Sequence, residues 1–456
     1  MPVLVRVIVA ALAILLRARA LEDLPRSRYV PFGKAVRDEF FQFGTGFLNF
    51  NHGGFGATPL PVRRAMDNFT DRMEAQPTAW FGVNGYSSII KAVRPRIAEL
   101  VSANESEVVF LDDASSGLNA VLRSVDWRRG DILLLTSAAY AVLPNTALWL
   151  QRRYGIRVLS VEIQYPATGP ETYLEPVRQA LALLGADEKL SLRLAVFDHI
   201  SSYPPTIVPV VELAKLVKLQ TSQRALILVD GAHALGQIRI DMRRLAAAGV
   251  DYYVMDGHKW LMAPKGSGVL WAAAGGQEML EPAVISSENG PGATFQNRFE
   301  YIGTRDYTPW CSIGAALDFR SAILGGEKRI QSYIVGLARW AAAHLASRFG
   351  TEAVAPDAMT PGLAAVRLPI PLDWPAAAQE GCALAVGEGL TGEYNMQAIP
   401  FAMHTLAADG LRLTRWIRVS AQVYLERGDF ERLASAVLTL SAACGHWGND
   451  SHAVLV

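Results

Sequence analysis

This sequence predicts an α/β fold: a mainly parallel, seven-stranded sheet covered by helices, with a smaller α+β domain at the C-terminal end. Two observations carry that prediction. From Leu48 onward, short apolar runs alternate with amphipathic stretches of helical length, the rhythm of strand–helix–strand units in a parallel sheet. The runs are also continuously apolar rather than alternating, as strands buried on both faces are.

The seven candidate strands are 108–111, 131–135, 158–162, 192–198, 225–230, 252–255 and 268–271. Candidate helices lie at 60–74, 85–101, 117–125, 143–154, 174–184, 208–221 and 242–248. From about Thr308 the pattern changes to longer Ala-rich helices at 312–324 and 328–348. Short strands near 363–368 and 416–420 follow, then a last helix near 430–443. The chain therefore divides into an N-terminal segment at 22–45, a large domain at 46–307 and a small C-terminal domain at 308–456, with residues 1–21 set apart.

Those first residues hold an unbroken apolar run from Val7 to Leu16, after Arg6 and before Arg17-Ala18-Arg19-Ala20. Ten residues are too few to span a bilayer, so no stable membrane insertion is expected. A basic start, a short apolar stretch and small residues at Ala18 and Ala20 fit a secretory signal, and the acid-free, Arg-containing composition also fits an organelle transit peptide. An ordinary N-terminal helix of a cytoplasmic protein is the alternative.

Charge and cysteine usage narrow the function. With 43 Lys plus Arg against 43 Asp plus Glu, there is no global field to attract nucleic acid or an anionic membrane, and a small-molecule partner is favoured. At 456 residues the chain is long enough for two domains around a large core. Cys311, Cys382 and Cys444 are sparse and lack CxxC spacing, which argues against a disulfide scaffold and against a zinc site, so no metal is expected.

Four features fall at the carboxyl ends of candidate strands, where open α/β sheets place their ligands. Asp230 ends one strand and His233 follows three residues later. A carboxylate there can hold a pyridinium nitrogen protonated, and it can equally cap the next helix. Lys259 follows the strand 252–255 in Asp256-Gly257-His258-Lys259-Trp260. A lysine in such a partly apolar place can act as a nucleophilic amine, although most lysines are solvated surface residues. Lys265, between Pro264 and Gly266, reads as part of a turn. Ala114, Ser115 and Ser116 open a helix after the strand 108–111. That suits a phosphate or a plain N-cap, and Asp112 and Asp113 would repel a phosphate unless they point away. Arg418 lies within the apolar run Trp416-Ile417-Arg418-Val419, suiting either a clamp on a substrate carboxylate or a structural ion pair.

Taken together, the motifs Asn49-Phe50-Asn51-His52-Gly53-Gly54-Phe55-Gly56, Val229-Asp230-Gly231-Ala232-His233, Gly257-His258-Lys259-Trp260, Gly303-Thr304-Arg305-Asp306 and Ile417-Arg418-Val419-Ser420 resemble the class V aminotransferase family of fold-type I pyridoxal-phosphate enzymes. The resemblance covers roughly residues 46–440 and is closest to the branch holding isopenicillin N epimerase and the hercynylcysteine sulfoxide lyases. It implies a pyridoxal 5'-phosphate cofactor carried as a Schiff base by Lys259, which also shuttles the α-proton. Asp230 would pair with the pyridinium nitrogen and His233 with the phenolic oxygen. Ala114, Ser115, Ser116 and His258 would hold the phosphate, joined across a homodimer interface by Thr304. Tyr140 falls where the family stacks an aromatic or His on the ring, and in the sulfoxide-lyase relatives a tyrosine here is linked to acid–base duty. Arg418 would grip the substrate carboxylate, with Asn51 and His52 lining the mouth.

Three positions depart from the family pattern. Asp256 stands where Ser, Thr or Asn is common near the phosphate, Ala139 where an acid is common, and Leu425 where Asn is usual. The expected activity is β-elimination by a C–S lyase on a cysteine conjugate or sulfoxide. The rivals are epimerisation, transamination, cysteine desulfuration and a catalytically silent binding protein on the same scaffold.

Overall fold

The computed structural model describes residues 29–82, 85–407 and 410–446. The apolar segment at 1–21 lies outside these residues. Seven strands form the large sheet: β1 (Val108–Leu111), β2 (Ile132–Thr136), β3 (Arg157–Val161), β4 (Leu192–Asp198), β5 (Leu226–Asp230), β6 (Tyr252–Asp256) and β7 (Gly268–Ala272). Their order is β1-β7-β6-β5-β4-β2-β3. Only β7 runs against its neighbours, and every other pairing is parallel.

The continuous apolar runs have the cause expected of them. Leu133, Leu135, Leu194, Val196, Leu228 and Val254 face one apolar cluster. Leu134, Ala195, Phe197, Ile227, Val229 and Tyr253 face the other. Successive residues of a strand point to opposite faces, so a sheet covered twice needs apolar side chains at every position. Edge strand β3 is the exception, with Arg157 and Ser160 exposed.

The C-terminal part carries a second, antiparallel sheet of β8 (Leu363–Arg367), β9 (Ile399–Ala407) and β10 (Gly410–Ser420), in the order β9-β10-β8. Helices Glu327–Phe349 and Ala376–Gly392 pack on this sheet, and Arg427–Ala443 packs on both helices. The helix expected at 312–324 is broken into Thr308–Cys311, Ile313–Asp318 and a π turn at Phe319–Ile323. The π turn holds Arg320, whose fully buried guanidinium donates to the carbonyls of Trp260 (2.7 Å) and Gly236 (2.8 Å) and pairs with Glu327.

One disulfide is present despite the sparse cysteine pattern. Cys382 and Cys444, 62 residues apart, are bonded with their Cα atoms 5.7 Å from each other, because the helices that carry or precede them lie side by side. The short strand Leu48–Asn49 pairs in parallel with Met396–Gln397. Phe50 continues the link by donating to the Gln397 carbonyl and accepting from the Ser420 amide. Among the described residues, no helix is long and apolar enough to cross a membrane.

Candidate active site

β6 ends at Asp256, in register with Gly268 of β7. The chain then turns back, and the amides of Gly257 and His258 both donate to the Ser267 carbonyl (2.8 and 3.2 Å). That turn presents Lys259, whose Nζ lies 3.0 Å from Asp256 Oδ2. The lysine's backbone is fixed from below by His52, whose Nε2 donates to the Lys259 carbonyl at 3.0 Å. His52 Nδ1 then accepts from the Tyr424 hydroxyl, also at 3.0 Å. Burial lowers the His52 pKa to about 3, so the ring is neutral and this tautomer satisfies both nitrogens. His52 is fully buried, with both ring nitrogens bonded within the protein.

Gly56 closes the same contact. A Cβ on it would stand 1.8 Å from the His258 carbonyl oxygen, and its φ is +67°, so no other residue fits. Lys265 donates to the Gly56 carbonyl at 3.2 Å, in keeping with a structural reading.

Asp230 ends β5 beside Lys259's strand. Its carboxyl is buried, accepts one bond from the Ala232 amide (2.9 Å), and is pushed up to about 6 by burial. In register with it on β4 stands Asp198, a residue not singled out from the sequence. Both carboxyl oxygens of Asp198 are buried without a hydrogen-bond partner, and burial together with Asp230 drives its pKa well above the usual carboxylate range. Two acids ending adjacent strands in the sequence were the available signal. His233 is buried, and its Nδ1 accepts from Trp260 Nε1 at 3.4 Å. Burial drives its proton affinity down, so the remaining proton sits on Nε2 and is free to donate.

The third wall is the N-terminus of helix Ala114–Ser124. Asp113 caps it, accepting from the amide (2.7 Å) and hydroxyl (2.9 Å) of Ser116. Asp112 is paired with Arg305. Asp112 thus has a cationic partner, whereas Asp113 has only neutral donors and keeps its charge at the helix start. The Ala114 amide donates to Asp256 Oδ1 at 2.7 Å. His258 Nδ1, 3.8 Å from that same oxygen, is buried and has no hydrogen-bond partner.

Arg418 reaches the site from β10. It is 2 % exposed. It donates to Ser202 Oγ (2.8 Å), the Ser202 carbonyl (3.3 Å) and Asn51 Oδ1 (2.8 Å), and lies over the Tyr203 ring at 4.0 Å. Among the described residues no carboxylate pairs with it, and its Nε has no partner. Tyr140, half-exposed in the turn after β2, sits close enough to influence both Arg418 and Tyr203 electrostatically. Thr304 is exposed, and its hydroxyl meets only that of Tyr301 (3.1 Å). Within one chain it is not brought to the other site residues.

The arrangement places an amine, a buried acid and a helix N-terminus around one strand-end crevice, with an unpaired guanidinium above it. The chain is similar to known proteins. The family model for class-V aminotransferases matches residues 54–372. An L-cysteine desulfhydrase-like protein of Epichloe uncinata is 28% identical over 446 residues, covering 90% of this chain and 96% of its own. The hercynylcysteine sulfoxide lyase of Schizosaccharomyces pombe is 26% identical over 324 residues, covering 69% and 79%. Among solved structures, a C-DES variant with glycine covalently linked to its pyridoxal-phosphate cofactor superposes with a TM-score of 0.69 at 20% identity, covering 88% of this chain and 98% of that one. The chain belongs to the class-V aminotransferase family of pyridoxal-phosphate enzymes, built on the fold-type I architecture.

Proposed function

We propose that this enzyme is a C–S lyase that eliminates a sulfur group from the β-carbon of a cysteine-type amino acid. The observation that carries an amino-acid substrate is Arg418, a buried guanidinium with no carboxylate partner among the described residues. A buried charge left unpaired is costly, and a bidentate carboxylate satisfies it well. The names of the relatives, a desulfhydrase-like protein and a sulfoxide lyase, support chemistry at a carbon–sulfur bond.

The residues fit the family's cofactor. A His258 Nδ1 that is buried without a partner among the described residues and the Ser115 amide and hydroxyl suit its phosphate, which would compete for the Ala114 amide now given to Asp256 and the Ser116 amide and hydroxyl now given to Asp113. Asp230 suits the pyridine nitrogen, and the Nε2–H of His233 suits the phenolic oxygen. Lys259 supplies the amine that carries it, and Tyr140 the face that covers the ring. Thr304 would join the phosphate from the second subunit of a homodimer. When bound, pyridoxal phosphate supplies an electron sink for charge developing at the substrate α-carbon. The chain's own groups do the rest. Arg418, steadied by Asn51 and Ser202, would orient the carboxylate, the Lys259 amine would take the α-proton, and the Tyr140 hydroxyl would give a proton to departing sulfur. With cysteine and water the products are pyruvate, ammonia and sulfide.

Release of sulfide is favoured over transfer to a protein thiol. A persulfide-forming cysteine must be a mobile thiolate. Cys311 is buried and its thiol is held protonated by that burial, while Cys382 and Cys444 are bonded to each other. The test is incubation with L-cysteine, cysteine S-conjugates and sulfoxides while following pyruvate. Wild type and Cys311→Ala are expected to produce it equally, and Lys259→Ala not at all. Absence of pyruvate from every sulfur substrate sinks the lyase reading, and alanine formed in its place by wild type but not by Cys311→Ala favours desulfuration.

A further inference from the structure

Asp256 occupies both groups that the cofactor needs at one end of the site. Its Oδ1 takes the amide of Ala114, the first of the helix Ala114–Ser124, and its Oδ2 holds the Lys259 ammonium. The carboxylate is 3 % exposed. Asp113 adds a second carboxylate at the same helix start. The guanidinium nearest them, Arg305, is already used by Asp112. His258, 3.8 Å from Asp256, is kept neutral by burial. A phosphate brought to this helix start therefore meets an acceptor already on its amide and like charge at close range in a site largely shielded from water. Such repulsion is far stronger there than in bulk solvent.

We propose that Asp256 competes with the phosphate of pyridoxal phosphate for the Ala114 amide, so that this carboxylate sets how weakly the enzyme retains its cofactor. The inference rests on the phosphate placement given under the proposed function. It separates two effects of one side chain. The contact with Lys259 Nζ at 3.0 Å occupies the amine and hinders any pyridoxal aldehyde equally. Competition for the Ala114 amide hinders only a phosphorylated one. Asparagine at this position replaces the charged acceptor with a weaker, neutral one, so both the competition for the amide and the repulsion fall.

The experiment measures affinity rather than turnover. The full chain, stripped of cofactor, is titrated with pyridoxal phosphate and, separately, with unphosphorylated pyridoxal, in wild type and Asp256→Asn. The change in near-ultraviolet and visible absorbance is followed. The expected result is a rise of tenfold or more in the ratio of the two affinities in Asp256→Asn. Inorganic phosphate, which needs no lysine, is expected to raise the melting temperature of the variant more than that of wild type. An unchanged or lower ratio overturns the proposal, and so does an equal gain for both aldehydes, which would place the whole effect on Lys259. Asp256→Ser carries the same test should the asparagine variant not fold. If wild type takes up neither compound, the cofactor placement falls together with this inference. If it takes up both and the ratio does not move, the inference falls alone.

Discussion

Asp198 and Asp230 stand in register at the carboxyl ends of neighbouring parallel strands, both buried, with Asp198 lacking any hydrogen-bond donor. Burial raises the pKa of each, and the neighbour raises that of Asp198 further. A carboxyl whose folded value lies above its unfolded value of about 3.9 holds its proton more tightly when folded. Its contribution to stability is complete below the unfolded value and is lost as pH rises through the folded one. Asp198→Asn, measured without cofactor, is therefore expected to gain on wild type as pH rises from 4.5 toward 7.5, by at most about 1.4 kcal/mol per pH unit. Denaturant melts at several pH values check this. A difference that does not change with pH rules it out.

His52 is predicted to be a stability residue with no titration of its own near neutrality, since burial lowers its pKa to about 3. His52→Ala leaves the Lys259 carbonyl and the Tyr424 hydroxyl without their shared partner. The expected cost is roughly 0.5–1.5 kcal/mol for each lost hydrogen bond, because the Lys259 carbonyl keeps the Met262 amide and the Tyr424 hydroxyl keeps Asn49. Tyr424→Phe removes that hydroxyl's bonds to His52 and Asn49 but leaves the His52 bond to the Lys259 carbonyl in place. A double-mutant cycle on the pair measures the coupling, and additive losses would mean that the chain of bonds does not act as a unit.

Arg418→Lys keeps a positive charge but loses the planar fork that reaches Ser202 and Asn51. Substrate KM is expected to rise about 10- to 100-fold, the equivalent of one charged hydrogen bond, while cofactor uptake stays as in wild type. Steady-state kinetics and the absorbance of the loaded enzyme separate the two. A loss of cofactor with an unchanged KM would move Arg418 out of the substrate site.

Reduction of Cys382–Cys444 opens a link across 62 residues. On a chain-entropy account this costs roughly 4 kcal/mol. Melting with and without reductant, and in Cys382→Ser, is expected to show lower stability under reducing conditions. Equal melts would mean that the link adds nothing.

The strands of the large sheet were legible because burial on both faces leaves no freedom in residue type. Val108–Leu111 and Leu192–Asp198 fall where the apolar runs place them. The bounds of helix Ala376–Gly392 were not, since Gly381, Gly387 and Gly389 interrupt any apolar stripe, and packing against its neighbours sets them. β9 was hidden by Pro400 near its start, which suits its place at the sheet edge. In the site, Lys259, Asp230 and Arg418 were readable from strand ends and from the family pattern. Arg320 gave no such signal, because its value lies in reaching the carbonyls of Trp260 and Gly236 from a distant helix. Asp198 looked like an ordinary strand terminus until its register with Asp230 was known.

Asn51 and His52 are consecutive residues, yet the first bonds to Arg418 and the second to the Lys259 carbonyl. The strand just before them is paired with Met396–Gln397, next to β9. One short stretch of backbone thus works as a yoke between Arg418, the proposed carboxylate grip, and the turn that presents Lys259. A displacement of the C-terminal sheet would reach that turn through two adjacent peptide units, which ties the proposed grip to the placement of the amine.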